Sequence, residues 1–246
     1  MRLSPLRLAM WSGPRNISTA LMRAFENRQD CVVWDEPLYG YYLDATGIDH
    51  PGASATIAAQ GTDAEAIIAA CIGDIPDGKA IFYQKHMTLH LLPQLDRGWL
   101  AALDNCFLIR EPEAVVASYA AVRSKPTLDD IGFVQQAALF DEVQQLCGQQ
   151  PLVIDSREFL LDPRSMLVAI CDHFDIDFSD DMLHWPAGPR DSDGVWAPYW
   201  YDSVWKSTGF APYRDRTYQL GQHEREIAEQ ARPYYEKLYR LRLKTR

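Results

Sequence analysis

The sequence of 246 residues is short of positive charge, has few cysteines and contains no long apolar run. Its five cysteines are scattered and odd in number, and none has the C-x-x-C spacing of metal or redox sites. We therefore expect reduced core cysteines in a cytoplasmic protein. No run approaches the roughly 18 apolar residues that a membrane span needs. The 24 basic and 34 acidic residues give a net charge of -10, which argues against general affinity for nucleic acid or anionic membranes.

The apolar residues that are present alternate between strand-like and helix-like patterns. At 47% hydrophobic composition a chain of this length is expected to form one domain, over residues 1–246. Strand-like runs separated by amphipathic stretches predict a three-layer α/β fold, in which a central parallel sheet is flanked by helices. The runs are LRLAMWS, CVVWDEP, KAIFYQK, NCFLIRE and PLVIDSRE.

Three segments differ from these runs in composition, and each composition predicts a different local structure. Residues 44–61 are rich in Gly, Ala, Thr and Pro, which predicts a loop. Residues 186–216 are dense in Pro, Gly, Trp and Tyr, so we expect an irregular lid whose aromatic side chains either form an acceptor pocket or pin the loop to the core. Residues 221–243 predict a C-terminal helix that kinks at Pro233.

The turn after the first strand-like run, WSGPRNIST, has the composition of an anion site. A helix that starts here, capped by Ser18 or Thr19, offers unpaired amides and a positive dipole end, and Arg15 adds a charged fork. It is not the G-x-x-x-x-G-K-[ST] loop of nucleoside triphosphate enzymes, because the second glycine, the lysine and the adjacent hydroxyl are missing in register. The alternative is an ordinary strand-to-helix connection.

A second motif lies further along the chain, where Arg110 ends the fourth run and Ser118 follows eight residues later on a predicted helix. With the turn 14–19, this pair makes the sequence resemble the sulfotransferase family that uses 3'-phosphoadenosine 5'-phosphosulfate (PAPS), particularly its bacterial members. In that family a P-[KR]-x-x-[ST]-[ST] turn holds the 5'-phosphosulfate, and an arginine with a serine eight residues later holds the 3'-phosphate. The resemblance runs from Leu6 to about Trp185.

The resemblance implies a P-loop-containing nucleotide-hydrolase-like topology, PAPS as cofactor, and sulfuryl transfer to a hydroxyl or amine of a small-molecule acceptor by a monomer or homodimer. The cofactor-binding residues it implies are Gly13, Pro14, Arg15, Asn16, Ile17, Ser18, Thr19, Arg110 and Ser118. Many members have lysine where Arg15 stands; arginine stays charged, so it can stabilise a leaving phosphate but not donate a proton. Ile17 replaces a common glycine and disfavours positive φ, a freedom that Gly13 could supply.

Sulfuryl transfer to an alcohol needs a base and an anion clamp, for which Arg15 is the candidate. Glu36, after the second run, and His86, at the end of the third, are the candidate bases, since related bacterial members place a glutamate and cytosolic members a histidine there. The alternatives are an acidic turn at Glu36 and a surface pair of His86 and His90 on a helix. No metal site is expected, because HMTLH lacks the glutamate of H-E-x-x-H. Lys85 could contact sulfate, although a solvated lysine at a strand edge is the simpler interpretation.

Two other functions remain open at the level of the sequence. A P-loop small-molecule kinase would use ATP and Mg²⁺, but the missing G-K-[ST] argues against it. A nucleotide-binding module without transferase activity would keep the phosphate turn without the chemistry, and the altered turn at Ile17 is the feature that suggests it.

Overall fold

The central sheet has five strands in the predicted order along the chain. The computed structural model describes residues 4–123 and 125–245. The strands pair in parallel, in the order β2-β3-β1-β4-β5. Their bounds are β1 (Leu6–Ser12), β2 (Cys31–Asp35), β3 (Ile81–Met87), β4 (Asp104–Ile109) and β5 (Leu152–Asp155). Because the chain passes from β3 on one side of β1 to β4 on the other, a crevice opens at the carboxyl ends of these strands.

Helices cover both faces of this sheet. Their bounds are α1 (Ser18–Glu26), α2 (Tyr39–Thr46), α3 (Ala53–Gln60), α4 (Ala64–Ile72), α5 (Pro112–Ala120), α6 (Phe133–Cys147), α7 (Ser156–Leu161), α8 (Pro163–His173), α9 (Ala197–Trp200), α10 (Asp202–Trp205) and α11 (Gln222–Tyr239). Alternate strand residues face opposite layers: Trp11 packs with α5, α6 and α11, whereas Met10 packs with α1 and α8. The predicted three-layer α/β fold is confirmed.

The cap of α1 differs from the prediction. Ile17 occupies the N-cap position, and no side chain in the described part of the chain caps this helix. Instead, Asn16 Oδ1 accepts a hydrogen bond from the amide of Ile17 at 2.9 Å, so neither Ser18 nor Thr19 has the predicted role. The first-turn amides of α1 therefore stay available to a ligand.

Residues 44–61 were expected to form a loop, and this expectation is wrong. Residues 44–46 complete α2, and α3 takes up 53–60 because its alanine-rich sequence favours helix once a buried face exists. Thr56 supplies part of that face, with its hydroxyl bonded to the carbonyl of Gly52 at 3.0 Å. Together α2 and α3 form a platform beside the crevice.

The aromatic segment 186–216 is irregular apart from α9 and α10, and it packs on this platform. Trp196 and Tyr201 share a buried cluster with Tyr39 and Leu43 of α2. The C-terminal helix begins and ends close to its predicted bounds and continues past Pro233 to Tyr239. Among the described residues, no helix combines the length and apolar character needed to cross a membrane.

Candidate active site

A cavity of about 960 Å³ opens at the carboxyl ends of β1, β3 and β4. One side is formed by the turn that links β1 to α1, and the opposite side by residues that follow β2 and β3. The aromatic segment closes a third side. Every residue that the sequence analysis assigned to phosphate binding lines this cavity: Gly13, Pro14, Arg15, Asn16, Ile17, Ser18, Thr19, Arg110 and Ser118.

The backbone of the β1–α1 turn is strained at Arg15, which has a φ of 58°. Ile17 has an ordinary φ of -89°, and Gly13 is not among the residues with positive φ, so the expectation that Gly13 provides the missing freedom is wrong. Glycine is needed there for space, because a Cβ on Gly13 would lie 3.0 Å from the carbonyl oxygen of Ile131. Asn16 fastens the turn to β4 by donating from Nδ2 to the carbonyl of Leu108 at 3.1 Å.

Arg15, Arg110 and Ser118 come together although they are far apart in the sequence. Arg15 Nε donates to Ser118 Oγ at 2.9 Å, and Arg110 Nη1 donates to the carbonyl of Arg15 at 2.6 Å. Burial and the neighbouring charge of Arg110 lower the pKa of Arg15, and no carboxylate of the residues that the structure describes opposes this effect. Two cations that repel each other beside the start of α1 can attract a ligand with negative charge.

On the opposite side, Lys85 is buried between two carboxylates. Its Nζ donates to Asp35 Oδ1 at 2.8 Å, to Glu36 Oε1 at short range, and to the hydroxyl of Tyr201 at 2.8 Å. The side chain is only 2% exposed. The interpretation of Lys85 as a solvated lysine is therefore wrong, because strand alternation turns it toward the cavity and its counter-ions lie on β2 and just after it.

Glu36 also has a strained backbone, with a φ of 46°, held where its amide donates to the carbonyl of Lys85 at 2.8 Å. Burial raises the pKa of its carboxyl group, while Lys85 acts in the opposite direction. Glu36 Oε2 lies 3.8 Å from His90 Nδ1, too far for a direct hydrogen bond. A buried carboxylate with a raised pKa at the wall of a cavity is a suitable general base.

The structure does not bring His86 to the cavity. Its ring stacks on Trp11 with centroids 4.3 Å apart, and Nε2 lies 3.1 Å from Gln84 Oε1. Burial and the charge of Lys85 lower the pKa of His86 to about 3, so it stays neutral within the core. As Lys85 and Met87 point to the cavity, the intervening residue must point to the other face of the sheet. The surface pair of histidines on a helix is also wrong, since both are buried.

His90 is the histidine that lines the cavity, although it was expected only as part of a surface pair with His86. It ends a short 3₁₀ turn after β3 and stacks face to face on Tyr39, with centroids 4.5 Å apart. Its Nδ1 is buried and has no hydrogen-bond partner among the described residues. Burial lowers the pKa of His90 well below its ordinary value, so the ring is neutral. The one sequence signal for its role is that a second histidine follows His86 by four residues, just after the end of β3.

Aromatic side chains form the third wall. Tyr39, Tyr42, His50, Trp196 and Trp200 line the cavity on this side. The hydroxyl of Tyr39 lies 2.9 Å from His50 Nδ1, and Trp196 meets the Tyr39 ring edge-on with centroids 5.1 Å apart. Such a wall provides apolar surface with a few polar edges, which is the usual character of a pocket for a small organic molecule.

Buried polar contacts hold the aromatic segment in this position. The buried guanidinium of Arg23 on α1 pairs with Asp193 and Glu26. Asp193 also accepts a hydrogen bond from Trp205 Nε1 at 2.9 Å. Asp193 therefore ties the segment to α1 and, through Trp205, holds the end of its second short helix beside this anchor.

A parallel sheet with β1 in its interior, flanked by helices on both faces, with a strand-to-helix turn at the carboxyl end of β1, defines a P-loop-like α/β fold. Within this class, a sequence model described as "Sulfotransferase domain" matches residues 6–241, and the chain belongs to that family.

Two curated relatives come from Arabidopsis thaliana. Branched-chain-amino-acid aminotransferase-like protein 1 is 35% identical over 227 residues, and protein 2 of the same name is 32% identical over 225 residues. Each alignment covers 92% of this chain but only 40% of the relative, so the chain spans well under half of these proteins. Their names therefore describe longer chains than this one.

Two solved structures share the fold. The sulfotransferase from Alicyclobacillus acidocaldarius has a TM-score of 0.55 at 11% identity, covering 97% of this chain and 96% of that one. The sulfotransferase domain from the curacin biosynthetic pathway has a TM-score of 0.53 at 15% identity, covering 94% and 98%. At such low identities the likeness establishes the fold.

Proposed function

We propose that this protein transfers a sulfuryl group from PAPS to a hydroxyl group of a small-molecule acceptor. The observation that carries the proposal is that two uncompensated arginines and a buried carboxylate face each other across one cavity. The two arginines suit a phosphorylated donor, and the carboxylate suits the removal of a proton from an acceptor. The family membership supports sulfuryl transfer as the chemistry that joins them.

The residues on the β1 side fit a donor that has phosphate groups at two positions. Arg15, the first-turn amides of α1 and the hydroxyls of Ser18 and Thr19 are available to one group. Arg110 and Ser118 are available to the other, and the Ser118 hydroxyl keeps its own proton to donate because it accepts from Arg15 Nε. A cavity of about 960 Å³ is within the size range of nucleotide and drug-sized sites.

The donor supplies a sulfuryl group and a phosphate leaving group. As the acceptor oxygen bonds to sulfur, the sulfur–oxygen bond to the phosphate breaks and its electron pair stays on the phosphate. The acceptor proton passes to Glu36 Oε2, the carboxylate oxygen that faces the cavity. Arg15 stabilises the negative charge on the departing phosphate and cannot itself donate a proton.

The proposal is tested by incubating the protein with PAPS and a set of phenols, alcohols and amines, with sulfated products detected by mass spectrometry. Glu36→Gln is the matched control, because it keeps the size of the side chain and removes the base. We expect product with the unmodified protein and a loss of about 100-fold or more with Glu36→Gln, while the affinity for adenosine 3',5'-bisphosphate stays within about twofold.

Other results would point elsewhere. Magnesium-dependent turnover of ATP by the same protein, with no product from PAPS, would show a kinase. Tight binding of adenosine 3',5'-bisphosphate without any transfer across the whole acceptor set would show a nucleotide-binding module. Equal product with Glu36→Gln would move the base to another residue.

A further inference from the structure

Four buried side chains below the aromatic wall form a hydrogen-bond network with matched donors and acceptors. Lys85 has three N–H donors, and these go to Asp35 Oδ1, Glu36 Oε1 and the hydroxyl oxygen of Tyr201. The Tyr201 hydroxyl uses its own proton on Asp35 Oδ2, at 2.6 Å. All four residues are at most 9% exposed. The ammonium group has no donor left for a sulfuryl group.

This matching leaves one polar atom of the network without a hydrogen-bond partner among the described residues, namely Glu36 Oε2. It lies 3.8 Å from His90 Nδ1, which also lacks a hydrogen-bond partner among the described residues. The network therefore distinguishes the two oxygens of the same carboxylate. One is held by Lys85 inside the protein, and the other faces the cavity.

We propose that Tyr201 is a positioning residue for the base: through Asp35 and Lys85 it fixes the Glu36 carboxylate with Oε2 toward the acceptor. The proposal deepens the proposed function and rests on it for the role of Glu36. Tyr201 stands between α9 and α10, within the segment that forms the acceptor side of the cavity. The same segment thus shapes the pocket and orients the base below it.

The charge of the network makes its effect on Glu36 measurable. Glu36 is faced by Asp35 from β2, Lys85 from β3, Tyr39 from α2, the neutral His90, and Tyr201 from the aromatic segment. Asp35 raises the pKa of Glu36 by charge repulsion, whereas Lys85 lowers it.

Two variants should therefore act in opposite directions. Tyr201→Phe leaves Asp35 Oδ2 short of a donor, so Lys85 turns toward Asp35 and away from Glu36, and the pKa of Glu36 rises. Asp35→Asn removes the competing carboxylate, so Lys85 pairs with Glu36 alone, and the pKa of Glu36 falls. A side chain with only a packing role would not give this pair of opposite shifts.

The experiment is an NMR titration of the Glu36 carboxyl carbon in protein with ¹³C-labelled glutamate, the signal being assigned by its loss in Glu36→Gln. We expect a rise of about one pH unit in Tyr201→Phe and a fall of similar size in Asp35→Asn. Tyr199→Phe is the matched control, since Tyr199 lies in the same segment, is 56% exposed and should leave the titration unchanged. Tyr201→Phe keeps the buried ring, so the fold is retained.

Activity gives the second readout. In Tyr201→Phe, kcat should fall about tenfold and the acid limb of its pH profile should move upward, with no change in affinity for adenosine 3',5'-bisphosphate. Unchanged Glu36 titration in both variants, or shifts in the same direction, would overturn the network. An equal loss of nucleotide affinity and kcat in Tyr201→Phe would also overturn the proposal, because it would show that the substitution disrupts the whole cavity and not the Glu36 carboxylate alone. Because the titration needs no turnover, a protein without transferase activity would contradict the proposed function and still test the network.

Discussion

Replacement of Arg110 by alanine tests the cationic side of the cavity most directly. Arg110 donates to the carbonyl of Arg15 at 2.6 Å, and its charge is not balanced by a carboxylate partner among the described residues. Its removal should therefore weaken a bound phosphate by losing a charge-assisted hydrogen bond and by loosening the strained turn at Arg15. Such contacts are worth about 2 kcal/mol, which corresponds to roughly a 30-fold increase in Kd.

The assay is calorimetric titration with adenosine 3',5'-bisphosphate, together with thermal unfolding at a fixed ligand concentration. At 100 times the original Kd, the ligand stabilises the unmodified protein by about 2.7 kcal/mol; after a 30-fold loss of affinity this becomes about 0.9 kcal/mol. Without ligand, Tm should change little, because the lost hydrogen bond is offset by relief of the repulsion between Arg15 and Arg110.

The matched control is Arg214→Ala, which removes the same charge from an exposed residue outside the cavity lining. It should change the affinity by less than about twofold at physiological salt, where exposed charges are screened. Equal affinity in the unmodified protein and Arg110→Ala would refute the assignment of Arg110 to a phosphate. So would an equal loss in both variants, because the effect would then come from net charge alone.

Three further predictions concern pH and stability. Transfer should fall as the pH decreases through the pKa of Glu36, which burial raises above the ordinary carboxyl value, and this acid limb should vanish in the residual activity of Glu36→Gln. The pKa of His86 is lowered to about 3, so protonation of this histidine in the unfolded chain should reduce the free energy of unfolding as the pH falls below ~6.5. The contribution of His86 to this decrease is at most about 1.4 kcal/mol per pH unit, and the slope should be smaller in His86→Phe. Equal slopes for the two proteins in urea titrations would contradict this. Asp63 accepts the amide of Ala66 at 3.0 Å at the start of α4, so Asp63→Ala should lower the free energy of unfolding by about 1 kcal/mol without affecting nucleotide binding.

Much of the fold follows from local patterns. Five apolar runs separated by amphipathic stretches predict the parallel sheet, since each strand buried on both faces must be largely apolar. Asp63 and Asp162 stand at the starts of α4 and α8, where a short side chain reaches the amide three residues ahead. The turn at Arg15 and the Arg110–Ser118 spacing are also local patterns, and the residues they indicate line one cavity.

The helix α3 shows where this reasoning fails. Alanine, threonine and glycine give residues 44–61 no clear amphipathic pattern, and the segment becomes helical because Ala53 and Ile57 pack on a surface formed by α2 and the aromatic segment. The aromatic segment, which supplies part of that surface, lies far along the chain. Tertiary packing overrides a weak local preference of this kind.

The sequence alone determined the strands of the sheet and the strand-to-helix turn after β1, because each depends on neighbours within a few residues. It offered Glu36 and His86 together as candidate bases, through the resemblance to the family. The tertiary structure alone decided that His86 faces the core while His90 faces the cavity, and that Lys85 is neutralised by carboxylates instead of being free. The physical reason is that a side chain's direction and charge partners depend on which strands are adjacent and on where a distant segment packs. Asp35 and Tyr201 are 166 residues apart, and only the folded chain brings them within 2.6 Å.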